Sequence, residues 1–345
     1  MTTGKHRVTV ETADAKGTSH SVVRNPPALR PGDQVMLVSP SGPTRPERVE
    51  RGIELLTHWG LRVLTAPNVY ARAGYLAGSD EQRLADLNLA LREPEIRGVL
   101  CTRGGYGVQR IVDGLDLAAV EADPKVVVGF SDITALQLAL WRGARLATIH
   151  GPGAAWLDER TGPEAAESLR RAVMTDEPVV IAARADEETF GVRIGGQAEG
   201  NLLGGNLCLL AASVGTVDMP DLRGAILLLE EVAEPPYKVD RMLVHLRRAG
   251  ALDGLAGVAV GQFTECADDW PTSIVDVLAE HLSALRVPVL GGLPLGHGLD
   301  QMTVPLGVPA TLDPDAGTLT TQPATTLERP PASRQREQYR SECQN

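Results

Sequence analysis

A β-branched run, Val126-Val127-Val128, stops at Gly129, and a hydroxyl follows two residues later at Ser131. Apolar residues then recur at helical spacing, at Ile133, Leu136 and Leu140. The pattern predicts strand, tight turn and helix, with the serine at the strand's carboxyl end beside the open N–H groups of a helix start. Such N–H groups can hold a developing oxyanion, so the chemistry on offer is acyl transfer to a serine. The layout is that of a nucleophile elbow, although Ile133 stands where the G-x-S-x-G form has its second glycine. Ser131 and Asp132 fit ordinary helix caps equally well, and local sequence does not separate the two roles.

A serine nucleophile needs a base, and the base needs an orienting acid. Of the seven histidines, His6 and His20 lie in a polar N-terminal stretch, and His58, His245 and His281 lie inside helical patterns. His150 and His297 remain, each in a glycine-containing loop after an apolar run, and spacing does not rank one above the other. For the acid, the run Ala225–Leu229 ends in Glu230-Glu231. Neighbouring strand residues face opposite ways, so one of the two at most addresses a shared site. Arg103-Gly104-Gly105-Tyr106-Gly107 also joins a strand to a helix. Its glycines suit a phosphate cradle, a plain turn or an oxyanion loop; without the Lys-Ser/Thr of a P-loop or the spacing of a dinucleotide fingerprint, little supports the first. No HExxH and no cluster of His, Cys and Asp calls for a metal, and no cofactor is expected.

Alternating elements must position these groups. Strands are expected at Gln34–Ser39, Leu61–Thr65, Ile96–Cys101, Lys125–Phe130 and Leu146–Ile149. Helices are expected at Glu47–Trp59, at Asp80–Arg92 behind a Ser79/Gln82 capping box, at Val108–Val120 and at Asp132–Arg142. That alternation argues for an α/β fold with a parallel sheet, whose ligands bind outside the strands' carboxyl ends. From Ile194 glycines crowd the chain. Strand-like runs at Ala225–Leu229, Gly257–Val260, Val289–Leu290 and Met302–Val304 alternate there with helices at Asn206–Val214, Val239–Ala249 and Thr272–Leu285. The expected organisation is an N-terminal extension (1–29), a nucleophile domain (30–165), a connection (166–193), a C-terminal α/β barrel-like domain (194–328) and a disordered tail (329–345).

At 43% apolar residues the chain can build a sizeable core, and with only 3% aromatics that core must be aliphatic. A net charge of −11 argues against nucleic acid and against an anionic membrane surface as partners. No signal-peptide pattern opens the chain, and Cys101, Cys208, Cys266 and Cys343 are too scattered for a metal site or a disulfide framework. A reducing cytoplasm is therefore expected, with Cys101 and Cys208 as buried thiols.

Taken in order, these segments resemble the LD-carboxypeptidase family of serine peptidases, which also contains the microcin C self-immunity proteins. The likeness is carried by Gly32-Asp33-Gln34-Val35 through Ser39-Pro40-Ser41-Gly42, by Arg103–Gly107, and by Gly129-Phe130-Ser131-Asp132-Ile133-Thr134. Gly200-Asn201-Leu202-Leu203-Gly204-Gly205-Asn206-Leu207, Leu229–Val232 through Glu234-Pro235-Pro236-Tyr237 with Asp240-Arg241, and Gly296-His297 complete it. The resemblance implies a flavodoxin-like N-terminal domain and a triad of Ser131, Glu230 and His297. It implies an oxyanion hole from the N–H of Asp132 with Gly104 or Gly105, and a cytoplasmic homodimer. Phe130 and Glu231 depart from the family's more frequent tyrosine and aspartate. The implied substrate is a murein tetrapeptide cut before its terminal D-Ala, with Arg103 and Tyr106 as candidate substrate ligands. An aminoacyl-nucleotide amide is the alternative; it would need an aromatic platform, for which Trp156, Trp270 and Tyr237 are available. A third expectation of lower weight is a two-domain protein that binds a small ligand without hydrolysing it.

Overall fold

The computed structural model describes residues 23–157 and 161–329. The outer parts of the expected N-terminal extension and C-terminal tail lie outside the described residues. The first half alternates β1 (Gln34–Val38), α1 (Pro46–His58), β2 (Arg62–Thr65), α2 (Asp80–Arg92), β3 (Ile96–Cys101), α3 (Leu117–Ala122), β4 (Val126–Gly129), α4 (Thr134–Ala144), β5 (Thr148–His150) and α5 (Pro163–Met174). The second half runs β6 (Val179–Ala182), β7 (Arg193–Ile194), β8 (Ala198–Asn206), α6 (Leu207–Ser213), β9 (Ile226–Val232), α7 (Pro236–Arg248), β10 (Gly257–Thr264), α8 (Ile274–Ser283), β11 (Val289–Leu290), β12 (Val304–Leu306), β13 (Pro309–Asp313) and β14 (Thr318–Thr321).

The first sheet has the order β12-β5-β4-β3-β1-β2. Strands β1 to β5 are parallel in the flavodoxin-like order β2-β1-β3-β4-β5, so the order of strand addition reverses between β1 and β3. Val35, Leu37, Val99, Leu100 and Val126 to Val128 are fully or almost fully buried, as a parallel sheet covered on both faces requires. The second sheet, a curled half-barrel, has the order β6-β14-β13-β8-β9-β10-β11-β7. Its centre, β8-β9-β10-β11, is parallel, and antiparallel strands flank it.

The two halves are less separate than the sequence suggests. Strand β12 belongs by position to the second half but pairs antiparallel with β5 of the first sheet. Its Val304 and Leu306 share an apolar cluster with Leu202, Leu228 and Leu295 of the second half. Residues 179–182 of the expected connection, and its last residue Arg193 with Ile194, likewise form edge strands of the second sheet. Within the expected extension, Ala28 N–H donates to Thr326 O and Leu29 N–H to Val173 O.

Three local readings change. Val108–Val120 is not one helix: two short 3₁₀ turns, Val108–Arg110 and Val112–Gly114, precede α3, which is capped by Asp116. The glycine-rich stretch after Ile194 contains the nine-residue β8. Gly204 and Gly205 have φ of 122° and 137°, open to glycine and strained for other residues. Cys208 is exposed rather than buried, because Leu207 and Leu210 are the α6 residues that turn to the core.

A Cβ built on Gly204 would lie 2.2 Å from Leu228 O, a backbone atom of the paired strand β9. Gly204→Ala should therefore cost at least about 2 kcal/mol, from the positive φ and the overpacking together. Urea denaturation of the two proteins would measure the loss, and an unchanged midpoint would contradict this account of β8.

Candidate active site

Ser131 follows β4 at the carboxyl edge of the first sheet and has φ of 66°. A left-handed backbone at a non-glycine residue stores roughly 1–3 kcal/mol, and such strain concentrates at functional turns. A 3₁₀ turn, Ser131–Ile133, carries the chain into α4. Phe130 takes the N-cap position of this turn with no side-chain cap bond, so Ser131 is its first residue and not its cap. The capping-like acid beside it serves another purpose. Asp132 is buried, and its carboxylate accepts from Ser41 Oγ at 2.6 Å and from the Val108 N–H at 3.0 Å. It thereby ties the loop after β1 and the Arg103–Gly107 loop to the elbow. Burial pushes this carboxyl above the ordinary range, against the pull of those donors.

The Arg103–Gly107 loop lies against the serine. A Cβ on Gly104 would fall 2.6 Å from Ser131 Cβ and 2.9 Å from its Oγ, so only glycine allows this approach. Gly104 O accepts from the Gly42 N–H at 3.4 Å, and Gly105 has φ of 129°. Arg103 is exposed, and its guanidinium turns back to Gly104 O at 3.2 Å. Tyr106 is half exposed and meets the exposed Tyr75 edge-on at 5.6 Å.

The second half supplies an imidazole and a carboxylate. His297 Nδ1 and Glu230 Oε2 are 2.7 Å apart, and Glu230 is fully buried at the end of β9. A carboxylate on Nδ1 fixes the tautomer that leaves Nε2 as the base. Gly296, with φ of 140°, permits the close approach, since a Cβ there would meet Glu230 at 3.1 Å. Gln262 of β10 steadies the same loop by accepting from the Gly298 N–H at 2.8 Å. Burial disfavours the charged imidazole, but the charge and hydrogen bond of Glu230, with the charge of Glu231, outweigh it and raise the His297 pKa above its ordinary value. The Phe130 ring, one residue before the serine, lies 4.8 Å from the His297 ring, and Trp156 meets the imidazole edge-on at 6.2 Å. The elbow and the imidazole thus share one aromatic wall.

Glu231 faces the other way, as strand geometry demands. It accepts from Asn206 Nδ2 at 2.9 Å and from the Cys208 N–H at 2.8 Å, while the Asn206 N–H donates to Thr134 Oγ1 at 3.1 Å. It belongs to the joint between the halves, and burial pushes its carboxyl up to about 7. His150, the rival base, is fully buried on β5, and burial depresses its pKa to about 4. Sequence reasoning did not single out the structural roles of Ser41, Thr134 and Gln262. Each is a lone polar residue whose partner is at least 36 positions away. Among the described residues no group of three His, Cys, Asp or Glu side chains is placed to hold a metal, and no helix is long and apolar enough to cross a membrane.

An elbow serine on a flavodoxin-like sheet, next to a Phe130 ring that packs on the His297–Glu230 pair of a second α/β unit, is a set of parts that a serine-type hydrolase uses. Comparison with known proteins agrees. Residues 35–151 match the LD-carboxypeptidase N-terminal domain and residues 199–312 the LD-carboxypeptidase C-terminal domain, so the chain belongs to this family of serine carboxypeptidases. It is 44% identical over 300 residues to a putative carboxypeptidase of Streptomyces coelicolor, covering 86% of this chain and 95% of that one. It is 34% identical over 286 residues to the murein tetrapeptide carboxypeptidase of Pseudomonas aeruginosa, covering 81% and 93%. The structure of a muramoyltetrapeptide carboxypeptidase from Oxalobacter formigenes superposes with a TM-score of 0.75 at 29% identity, covering 85% of this chain and 100% of that one. A microcin C7 self-immunity protein bound to glutamyl sulfamoyl guanosine superposes with a TM-score of 0.78 at 23% identity, covering 86% and 98%, a likeness of fold alone.

The depressed His150 pKa has a consequence for stability. Between the ordinary 6.5 and about 4 the unfolded chain takes up a proton that the native state refuses. Native stability should therefore fall as pH drops through that window, by on the order of 3 kcal/mol from this residue. Urea unfolding near neutrality and at mildly acid pH should show a smaller acid loss for His150→Gln than for the wild type; equal losses would refute the assignment.

Proposed function

We propose that the protein is an L,D-carboxypeptidase of murein tetrapeptides, releasing the terminal D-Ala from an L-centre diamino acid through a Ser131–His297–Glu230 triad. The observation that carries this reading is the buried 2.7 Å Glu230–His297 pair set against the Phe130-Ser131 elbow. The homology to proteins named murein tetrapeptide and muramoyltetrapeptide carboxypeptidases supports the substrate class.

In this mechanism Ser131 Oγ attacks the amide carbonyl carbon while His297 Nε2 takes the hydroxyl proton. The tetrahedral oxyanion rests on the N–H of Asp132 and on one from Gly104 or Gly105. His297 then hands the proton to the amine of D-Ala, the C–N bond breaks, and an ester on Ser131 remains. Water, deprotonated by the same imidazole, attacks the ester and frees the serine. Glu230 holds the tautomer and stabilises the imidazolium, which is why the His297 pKa is raised. We assign Arg103 the substrate's terminal carboxylate and Tyr106 a contact beside it, as the family resemblance implies. The reading carries with it the family's cytoplasmic, homodimeric habit.

One observation supports the nucleotide alternative. Tyr237 and Trp270, both largely exposed, line a cavity of about 500 Å³ with Asp268 and Pro271, beyond the end of β9. Trp156, by contrast, is engaged with Phe130 and His297. Parallel assays on an L,D-tetrapeptide and on an aminoacyl-sulfamoyl adenosine decide between the two substrates.

Ser131→Ala should lower kcat on the tetrapeptide by about 10⁴-fold or more while leaving the circular dichroism spectrum unchanged. Activity retained in that variant would sink the proposal. Glu230→Gln should lower kcat by roughly 10²–10⁴-fold. The wild-type acid limb of kcat/KM should lie above the ordinary histidine value, and in Glu230→Gln it should move to lower pH, because the charge that raises His297 is gone. A limb that does not move would show that Glu230 is not the partner of the titrating base.

A further inference from the structure

His150 is not used by the mechanism above, yet it is fully buried, and among the described residues neither of its ring nitrogens has a hydrogen-bond partner. Glu230 is also fully buried. Its Oε2 is held by His297, and its Oε1 has no partner among the described residues. These unmet groups belong to one region. His150 ends β5, pairing with Gly129 of β4 on one side and with Val304 of β12 on the other. Val304 shares an apolar cluster with Leu228 of β9, two residues before Glu230, and with Leu295, two residues before His297. The His150 ring meets Phe130 edge-on at 6.1 Å, and Phe130 in turn lies against His297. Among charged groups, Glu230 and His297 are the two whose charges act on His150.

A neutral imidazole carries one N–H donor and one acceptor nitrogen. A buried donor and a buried carboxylate oxygen, both unmet and carried on elements that pack against one another, are complementary. We infer that His150 is a positioning residue for the Glu230–His297 pair, supplying the hydrogen-bond donor for Glu230 Oε1 across no more than one ordered water. A carboxylate held at Oε2 alone can swing about its side-chain torsions, and a second donor at Oε1 fixes Oε2 on His297 Nδ1. The donor must be uncharged: a cation at Oε1 would compete with the imidazolium for the charge of Glu230. Burial keeps His150 in that neutral form. Glutamine would keep a neutral donor, and leucine would fill the space without one. Gln137 keeps the setting rigid, because its Nε2 donates to Gly129 O and Ile149 O, each at 3.0 Å, and clamps the ends of β4 and β5.

This inference rests on the triad proposed above, so the test separates the two. On the tetrapeptide, His150→Leu should lower kcat by roughly tenfold or more with KM little changed, and should move the acid limb of kcat/KM to lower pH. His150→Gln should recover most of the rate and of the profile. Wild-type kcat and profile in a folded His150→Leu, or a folded His150→Gln as impaired as the leucine variant, would overturn the inference. Where the variants do not fold, ¹⁵N spectra of the histidine rings in the wild-type protein decide. They should show one neutral His150 tautomer from about pH 5 to about pH 8, with a slowly exchanging ring N–H whose resonance shifts in Glu230→Gln. A His150 that titrates in that range, or whose N–H does not sense the Glu230 substitution, would overturn it. Wild-type protein inert on the tetrapeptide would sink the substrate reading, while the ring spectra would still test the His150–Glu230 link.

Discussion

The packing of α4 beneath the second sheet is the constraint on which the site depends. The helix begins immediately after the 3₁₀ turn that carries Ser131, while its Leu138 and Trp141 belong to the apolar cluster of Leu203, Leu207, Leu229 and Leu243 in the other half. One rigid element therefore holds the hydroxyl at one end and the second domain along its flank. Strand β12 makes a second weld, paired to β5 through its backbone and sharing side-chain contacts with β8 and β9. A base and a nucleophile from different halves keep a fixed separation only if the interface between the halves is as closely packed as a core. Buried side chains on both sides of this interface meet that condition.

Within that frame, three loops are held together by short polar contacts. Asp132 gathers Ser41 and the Val108 N–H, and so draws the loops after β1 and β3 onto the elbow after β4. The loops after β1 and β3 leave the sheet where its strand order reverses, the place at which open α/β sheets bind ligands. Glycines then permit the approaches that side chains would block: Gly104 against Ser131, Gly205 against Thr134 and Gly296 against Glu230. The strain at Ser131 is sustained by these contacts, which leave its peptide little freedom to relax.

The adjacent carboxylates Glu230 and Glu231 show how strand geometry divides labour. One accepts from an imidazole; the other accepts from Asn206 and the start of α6, and so holds the residue whose N–H reaches Thr134 of the first half. Both are buried, and a buried carboxylate is tolerated only where donors meet it. Glu231 has such donors in full. Glu230 has one on Oε2, and among the described residues its Oε1 has none, the gap the inference about His150 fills.

The sequence by itself determined most of the elements and the set of candidate residues. Strand–helix alternation is written in periodicity, the Ser79/Gln82 capping box formed as read, and the Ser131 turn, the Gly104-Gly105 loop and the Glu230-Glu231 pair all fall where their local patterns placed them. These features are legible because they depend on residues a few positions apart. The choice between His150 and His297 was not legible from spacing, since both follow apolar runs beside glycine; the family resemblance favoured His297, and the fold gives it the Glu230 bond while burying His150 at the end of β5. The return of β12 to the first sheet, the division of tasks between the two glutamates and the anchoring role of Asp132 were likewise decided only by tertiary structure. Each depends on partners brought together across 23 to 158 positions, from Cys208–Glu231 to Thr148–Leu306, and no local pattern records which surfaces a folded chain will bury against one another.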